Sequence, residues 1–431
     1  MYLKLDARSI FITLSLLLCI NSVGATESEP RERLTLAMAI KQTLSLNPQL
    51  KVFGYRQQAL DGLAQTAGLS PAMEIGVELE NVLGTGEARG IGGAELTVAL
   101  SSVLEMGDKR AARSQVVSSS RAVLDAQKLA DSLDLLGDVT RRYIDVLAAQ
   151  SQISLALEAQ ELASSTLDIV KKRVEAGAAP KAEEKRATAA LGQAQLTLLS
   201  ELQRLDYLHI ALAALWGETN PQFSQVEGEL FRFGTDTDFE SLYAKVQRNP
   251  AIQVFASEQR LRDTEVRLAE TQSTGDISWS VGARRLQGSR DTALVAGFSM
   301  PLFSSKRNSG AVSTALAQRN EVSVQREVAL LNMYSQLYRA YHNRKQAILS
   351  AEALQNTIIP ALEQALNETQ SAYQRGRYGY LEYISAKQEL LNARRTSIEA
   401  AFAALTYGAE IEQLTAVPLA ASSYQFSGST Q

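Results

Sequence analysis

The 431-residue sequence predicts a mainly α fold with a membrane-spanning β portion, built by internal duplication. Three observations carry that class. Two helical stretches are far longer than ordinary helices, two pairs of segments alternate apolar and polar residues with the period of a strand, and one short signature recurs 202 positions after its first appearance, as in a repeat.

The chain starts with a targeting pattern. Lys4 and Arg8 precede an almost wholly apolar run from Ile10 to Ile20, and Val23-Gly24-Ala25 offers a small-residue cleavage site, so residues 1–25 read as a secretory signal peptide. Cys19 follows Leu18 rather than the small residue a lipid-attachment signal needs, which argues against lipidation. Cleavage after Ala25 removes the only cysteine and leaves 41 basic against 46 acidic residues. That balance excludes a strong nucleic-acid footprint. Composition, at 45% hydrophobic and 21% charged, excludes a disordered chain and an integral helical membrane protein. Beyond Ala25 no run of about 18 apolar residues occurs, so passage through a membrane falls to strands.

Arg33 to Leu46 and Pro48 to about Ala67 read as two short amphipathic helices, broken at Asn47-Pro48 with proline starting the second. Asn47-Pro48-Gln49-Leu50-Lys51-Val52-Phe53 returns as Asn249-Pro250-Ala251-Ile252-Gln253-Val254-Phe255. This divides the chain into a first repeat at 26–218, a linker at 219–240 read as packed around the middle of the body, a second repeat at 241–415 and a Ser/Gln/Gly-rich tail at 416–431, expected to be frayed.

Within 72–106 the residues Met73, Ile75, Val77 and Leu79, then Leu96, Val98, Leu100, Leu104 and Met106, alternate with polar or small neighbours around a Gly-rich loop at Leu83–Gly93. Ile277, Trp279 and Val281, then Leu294, Ala296, Phe298, Met300 and Leu302, do the same within 276–303. Each run is about 10 residues, the length of a tilted transmembrane strand. Alone, they favour a half-buried sheet in a soluble domain; the signal and the rods reverse that preference, and beside them they read as membrane strands. Four strands cannot close a barrel and open edges cannot face lipid. Three copies would supply about twelve.

Each strand pair leads through a charged turn into a rod. Lys109 to Ala176 contains no proline and one interior glycine, Gly137, with Leu129, Leu133, Leu136, Tyr143 and Leu147 spaced to face a partner helix, as in a coiled coil. It turns at Gly177 and returns from Ala182 to about Trp216. The second hairpin runs from Ala311 to Gly376 and back from Leu381 to about Leu414, with Pro360 expected to kink it or mark a junction.

This organisation resembles the outer-membrane efflux protein family, the TolC-like channels of Gram-negative bacteria, over about Arg33 to Leu414. It is most similar to the CzcC-like subunits of cobalt, zinc and cadmium efflux systems, on Glu78-Leu79-Glu80-Asn81-Val82-Leu83-Gly84, on Glu95-Leu96-Thr97 leading to Leu104-Glu105-Met106-Gly107-Asp108-Lys109-Arg110, and on Arg173-Val174-Glu175-Ala176-Gly177-Ala178-Ala179-Pro180-Lys181 with Glu183-Glu184. The resemblance implies a homotrimer whose twelve-stranded β-barrel crosses the outer-membrane lipid and continues into a long periplasmic α-helical barrel. It also implies two partners, a periplasmic adaptor (membrane fusion protein) and an inner-membrane RND transporter, with divalent heavy-metal cations as cargo. Alternatives are a duct for drugs or secreted polypeptides and, from another class, a periplasmic coiled-coil scaffold or adaptor. An adaptor would carry a lipoyl-like β domain flanking a single hairpin.

By the same resemblance, the tips Gly177, Ala178, Ala179, Pro180 and Gly376, Arg377, Tyr378, Gly379 are where the adaptor docks. Glu382 corresponds to an acidic residue lining the constriction, while the family's second carboxylate, three residues on, is Ser385 here. Glu183 and Tyr373 match a latch across the closed entrance. The family's arginine position is Tyr378, which leaves Arg377 and Arg375 as stand-ins, with a weak Glu183–Arg377 pair expected. Carboxylates gathered in a ring would favour cations.

His209 and His342 have no histidine four residues away and no cysteine partner, so no metal site is expected. No catalytic spacing such as G-x-S-x-G or a P-loop occurs, and neither an enzyme nor a cofactor is predicted.

Overall fold

The computed structural model describes residues 33–235 and 237–419; the signal-peptide expectation and most of the tail lie outside them. In chain order the elements are β1 (Arg33–Leu34), α1 (Leu36–Leu46), α2 (Pro48–Ala67), β2 (Glu74–Glu80), β3 (Glu95–Leu104), α3 (Lys109–Glu175), α4 (Lys181–Ala213), β4 (Gln225–Val226), α5 (Phe239–Val246), α6 (Pro250–Thr271), β5 (Ile277–Leu286), β6 (Thr292–Ser299), α7 (Ser304–Ala353), α8 (Ile359–Gln374) and α9 (Tyr380–Thr415). The 67 residues of α3 make a rod of about 100 Å at ~1.5 Å per residue. It packs against α2, α4, α6 and α9, and α7 packs against α6 and α9.

The repeat signature has a structural job. Asn47 caps α2 by accepting from Gln49 N at 2.7 Å, and its Nδ2 donates to Leu215 O at 2.7 Å. Asn249 caps α6 by accepting from Ala251 N at 2.8 Å, and its Nδ2 donates to Gln413 O and Leu414 O at 3.0 and 2.9 Å. One buried amide therefore closes a helix start onto the end of the returning rod in each repeat. Asn47→Ala or Asn249→Ala strands those groups and is expected to cost about 1–3 kcal/mol, read as a lower thermal midpoint.

The main sheet runs β2-β3-β5-β6, antiparallel throughout. Its register gathers Ile75, Leu100, Val281 and Ala296 in one row and Val77, Val98, Ala283 and Leu294 in the next, so one face is apolar. Leu294 and Phe298 on that face are 88% and 87% exposed, a patch that water does not favour. The opposite face carries Glu78, Thr97 and Arg284 in one row and Glu80 opposite Glu95. Arg284 binds Glu80 at 2.9 Å, Glu95 at 3.0 Å and Thr97 Oγ1 at 2.9 Å. β2 and β6 are edges running in opposite directions, so β6 of one copy can pair antiparallel with β2 of another. A Cβ on Gly282 would press on the Val98 carbonyl and come within 2.7 Å of Ala99 Cα. Gly282→Ala is expected to disrupt this sheet at a cost of about 1–3 kcal/mol, seen as reduced folded protein in membranes.

The core sits at the waist, where Val139, Tyr143, Ile144 and Leu147 of α3 pack with Leu212, Trp216, Phe223, Val226, Leu230 and Leu405. Gln150 clamps Val226 from both sides, donating to its carbonyl at 3.2 Å and accepting from its N–H at 2.8 Å.

Several expectations need correction. Arg33 and Leu34 are not the start of a helix; they pair in parallel with Gln225 and Val226, because Leu34 O accepts from Glu227 N at 3.0 Å. α7 begins at Ser304, seven residues before Ala311, because Asn308 in its first turns ties it to α6 by donating to Ala269 O at 2.5 Å and Ser273 Oγ at 3.1 Å. Leu129 is 56% exposed and leaves the packed stripe. Ahead of Pro360 the rod makes a π-helical turn over Leu354–Ile358, since proline cannot donate to the preceding turn. The first residues of the tail fold back, with Leu419 buried and its N–H donating to Glu412 Oε1 at 2.8 Å.

Candidate functional site

Both rods turn on glycine in the left-handed region. Gly177 has φ +69 and Gly376 φ +74. Ala178 N donates to Arg173 O at 2.8 Å and Arg377 N to Ala372 O at 2.9 Å, so each turn closes the helix before it. Gly177, Ala178 and Pro180 are exposed, Ala179 is half-buried, and Arg377, Tyr378 and Gly379 are exposed. Glu183 and Glu184 lie in the first turn of α4 and Glu382 in that of α9, where acids complement the helix dipole.

Behind the tips lies an aromatic seam between the hairpins. Tyr373, Tyr380 and Tyr383 are 1%, 6% and 2% exposed; the Tyr373 and Tyr383 rings stack at 5.3 Å and 14°. Tyr373 Oη donates to Glu183 Oε2 at 2.9 Å. Burial, then the Glu183 carboxylate, pushes the Tyr373 hydroxyl pKa up, so it stays a donor.

The arginine that meets Tyr373 is neither stand-in. Arg375 and Arg377 are exposed, and neither forms an ion pair with Glu183 among the described residues. Instead Arg173, in the last turn of α3, sits over the Tyr373 ring at 4.5 Å. Its Nη1 donates to Tyr373 O at 2.5 Å and Gln374 O at 3.3 Å, and its Nη2 to Ala178 O at 3.1 Å. One guanidinium thus satisfies two carbonyls at the C-terminus of α8, which favours a cation, and one in the turn that follows α3. The usable signal was an arginine in the last turn before a glycine.

Glu382 and Ser385 are both exposed, and Ser385 Oγ donates to Glu389 Oε1 at 3.2 Å. Glu389 lies seven residues past Glu382, two turns up the same face. Position 385 lacks a carboxylate, but α9 supplies one a turn later, which the sequence reading missed.

Farther along, Arg394 of α9 bridges Glu158 of α3 and Glu363 of α8, the latter at 2.5 Å. Between this triad and the tips, Lys387 is 7% exposed and its Nζ donates to Thr166 Oγ1 at 2.9 Å. Burial alone lowers its pKa to about 8. His209 meets Phe223 edge-on at 5.0 Å and His342 lies against Tyr338 at 4.3 Å. Among the described residues no group of three or more His, Cys, Asp or Glu side chains could hold a metal ion, and no helix is long and apolar enough to cross a membrane.

Known proteins share this plan. The chain is 25% identical over 368 residues to the cobalt-zinc-cadmium resistance protein CzcC of Cupriavidus metallidurans, covering 85% of this chain and 86% of the relative. It is 24% identical over 310 residues to the nickel and cobalt resistance protein CnrC of the same organism, covering 70% and 73%. Its fold superimposes on a crystal structure of the CusC channel with a TM-score of 0.72 at 16% identity, covering 88% of this chain and 91% of that one. The family described as outer membrane efflux protein matches at residues 39–218 and 242–417, one stretch in each repeat. The chain belongs to the outer membrane efflux protein family.

Proposed function

We propose that this chain is the outer-membrane channel subunit of a tripartite efflux system and that it gives divalent heavy-metal cations an exit to the cell exterior. The observation that carries the reading is the four-stranded sheet with one apolar and one charged face, open at both edges, at the head of a pair of rods about 100 Å long. Three copies close the sheet into a barrel of about twelve strands, with the apolar face toward lipid and the Arg284 network toward the lumen. The rods line a periplasmic tube. A periplasmic adaptor docks at Gly177–Pro180 and Gly376–Gly379 and links the tube to an inner-membrane RND transporter, which supplies the energy. The chain itself conducts and performs no catalysis. The metal class rests on the cobalt, zinc, cadmium and nickel resistance named for CzcC and CnrC.

Deleting the gene is expected to sensitise the host to cobalt, zinc or cadmium, with resistance restored by the intact chain. Unchanged metal tolerance with new drug sensitivity would transfer the reading to a drug duct, and recovery of the protein from the soluble periplasm would support a scaffold. Within the duct, Glu382 and Glu389 place two carboxylate rings near the entrance. Glu382→Gln/Glu389→Gln is expected to lower cation-over-anion selectivity in planar bilayers several-fold, the direction expected when fixed negative rings are removed. Unaltered selectivity would remove both residues from that role.

A further inference from the structure

A groove of about 290 Å³ lies between α3, α4 and α9, above the tyrosine seam. Its volume is close to the lower end for small-molecule sites. The apolar lining includes five alanines, and the polar lining includes Gln152, Gln193, Asn392, Lys387, Arg395 and Glu201. The charges there are unbalanced. Lys387 is more than nine-tenths buried, and its one hydrogen-bond partner is the neutral hydroxyl of Thr166. Arg395 forms no ion pair among the described residues, whereas the single acid, Glu201, is met by Arg204 at 3.6 Å. A buried cation without a carboxylate is costly, and an ammonium has three donors, of which Thr166 takes one. The two cations are eight residues apart on α9, about 12 Å along the helix, with amide side chains between and beside them. This is a short cationic trough on an acidic protein.

We propose that this groove binds a small multivalent oxyanion, with Lys387 and Arg395 as its two cationic anchors and the amides of Gln152, Gln193 and Asn392 as neutral donors. The shared chemistry is that of polycarboxylates and phosphates, and the inference does not rest on the metal reading above.

The test is calorimetric titration of the intact protein, purified from outer membranes in detergent, with citrate and separately with inorganic phosphate at neutral pH and low ionic strength. Saturable binding of either anion is expected; citrate alone or phosphate alone identifies the source, and both support the site. Lys387→Met should weaken binding by about tenfold or more, as loss of a charged hydrogen bond does, while Lys387→Arg retains it and Arg395→Gln weakens it less. Ala194→Phe puts bulk into the groove from α4 with Lys387 unchanged and should abolish binding, which gives a test independent of the Lys387 variants. No saturable binding of either anion, or binding unchanged in Ala194→Phe, would overturn the proposal whether or not the protein conducts.

Discussion

Replacing Arg173 by alanine is expected to leave the periplasmic entrance open at rest. Arg173 donates to carbonyls of Tyr373, Gln374 and Ala178 and covers the Tyr373 ring, so its loss frees the end of α8 and the turn that follows α3 together. Charge-assisted bonds contribute about 1.5–3 kcal/mol each when sheltered and a cation over a ring about 0.5–2 kcal/mol. Because Arg173 is partly exposed, water replaces some of this, and a net loss of about 3 kcal/mol per protomer is the reasonable scale. At about 1.4 kcal/mol per tenfold, that shifts each hairpin about 100-fold toward separation. The readouts are single-channel conductance and uptake of a bulky antibiotic by intact cells, both rising. Lysine at 173 should restore little, because a point charge cannot span three carbonyls. Tyr373→Phe, which removes only the bond to Glu183, should open the entrance less. Wild-type conductance in Arg173→Ala would show that the seam does not hold the entrance.

The second large effect is a gain in stability. Lys387 has a folded pKa near 8 against an ordinary 10.5, with burial as the only cause. Below pH 8 the residue is protonated both folded and unfolded, and the folded state bears the full penalty. Between pH 8 and 10.5 the unfolded chain holds the proton more tightly, so stability rises with pH across that window, by roughly 3 kcal/mol in total at ~1.36 kcal/mol per pKa unit. Lys387→Met fills the same space without charge. It should be more stable than wild type at neutral pH by that order and should lose the alkaline rise, as seen in thermal midpoints measured from pH 7 to 11. Parallel pH curves for the two proteins would contradict the assignment.

The sequence made the architecture legible because its signals were periodic or stereochemical. The switch from helical to alternating spacing at Ala72, the glycines at 177 and 376 and the Asn-Pro duplication each follow from backbone rules that need no tertiary context. What stayed hidden depended on contacts between distant segments. β1 and β4 are two residues each, too short to show a period, and form only because the waist brings residue 33 to residue 225. The charged stretch at Phe303–Asn308 read as a turn, and only the reach of Asn308 to α6 makes it helix. The contacts behind the tips show the same split. Glu183 and Tyr373 could be named from the family resemblance, and their side chains are hydrogen-bonded. Their cation could not, since Arg173 approaches Tyr373 from 200 residues away, while the nearer Arg375 and Arg377 point to solvent.

Everything in the functional reading depends on strand edges being completed by other copies of the chain, and edge-to-edge crosslinking tests this most directly. Loss of Cys19 with the signal would leave the chain without cysteine, so one cysteine at Gly76 in β2, combined in turn with one at Val295, Ala296 or Gly297 in β6, reports only the engineered pair. At least one combination, oxidised in outer membranes, is expected to yield a covalently closed trimer on denaturing gels. Crosslinks confined within single chains, with β2 meeting β6 of the same molecule, would contradict it.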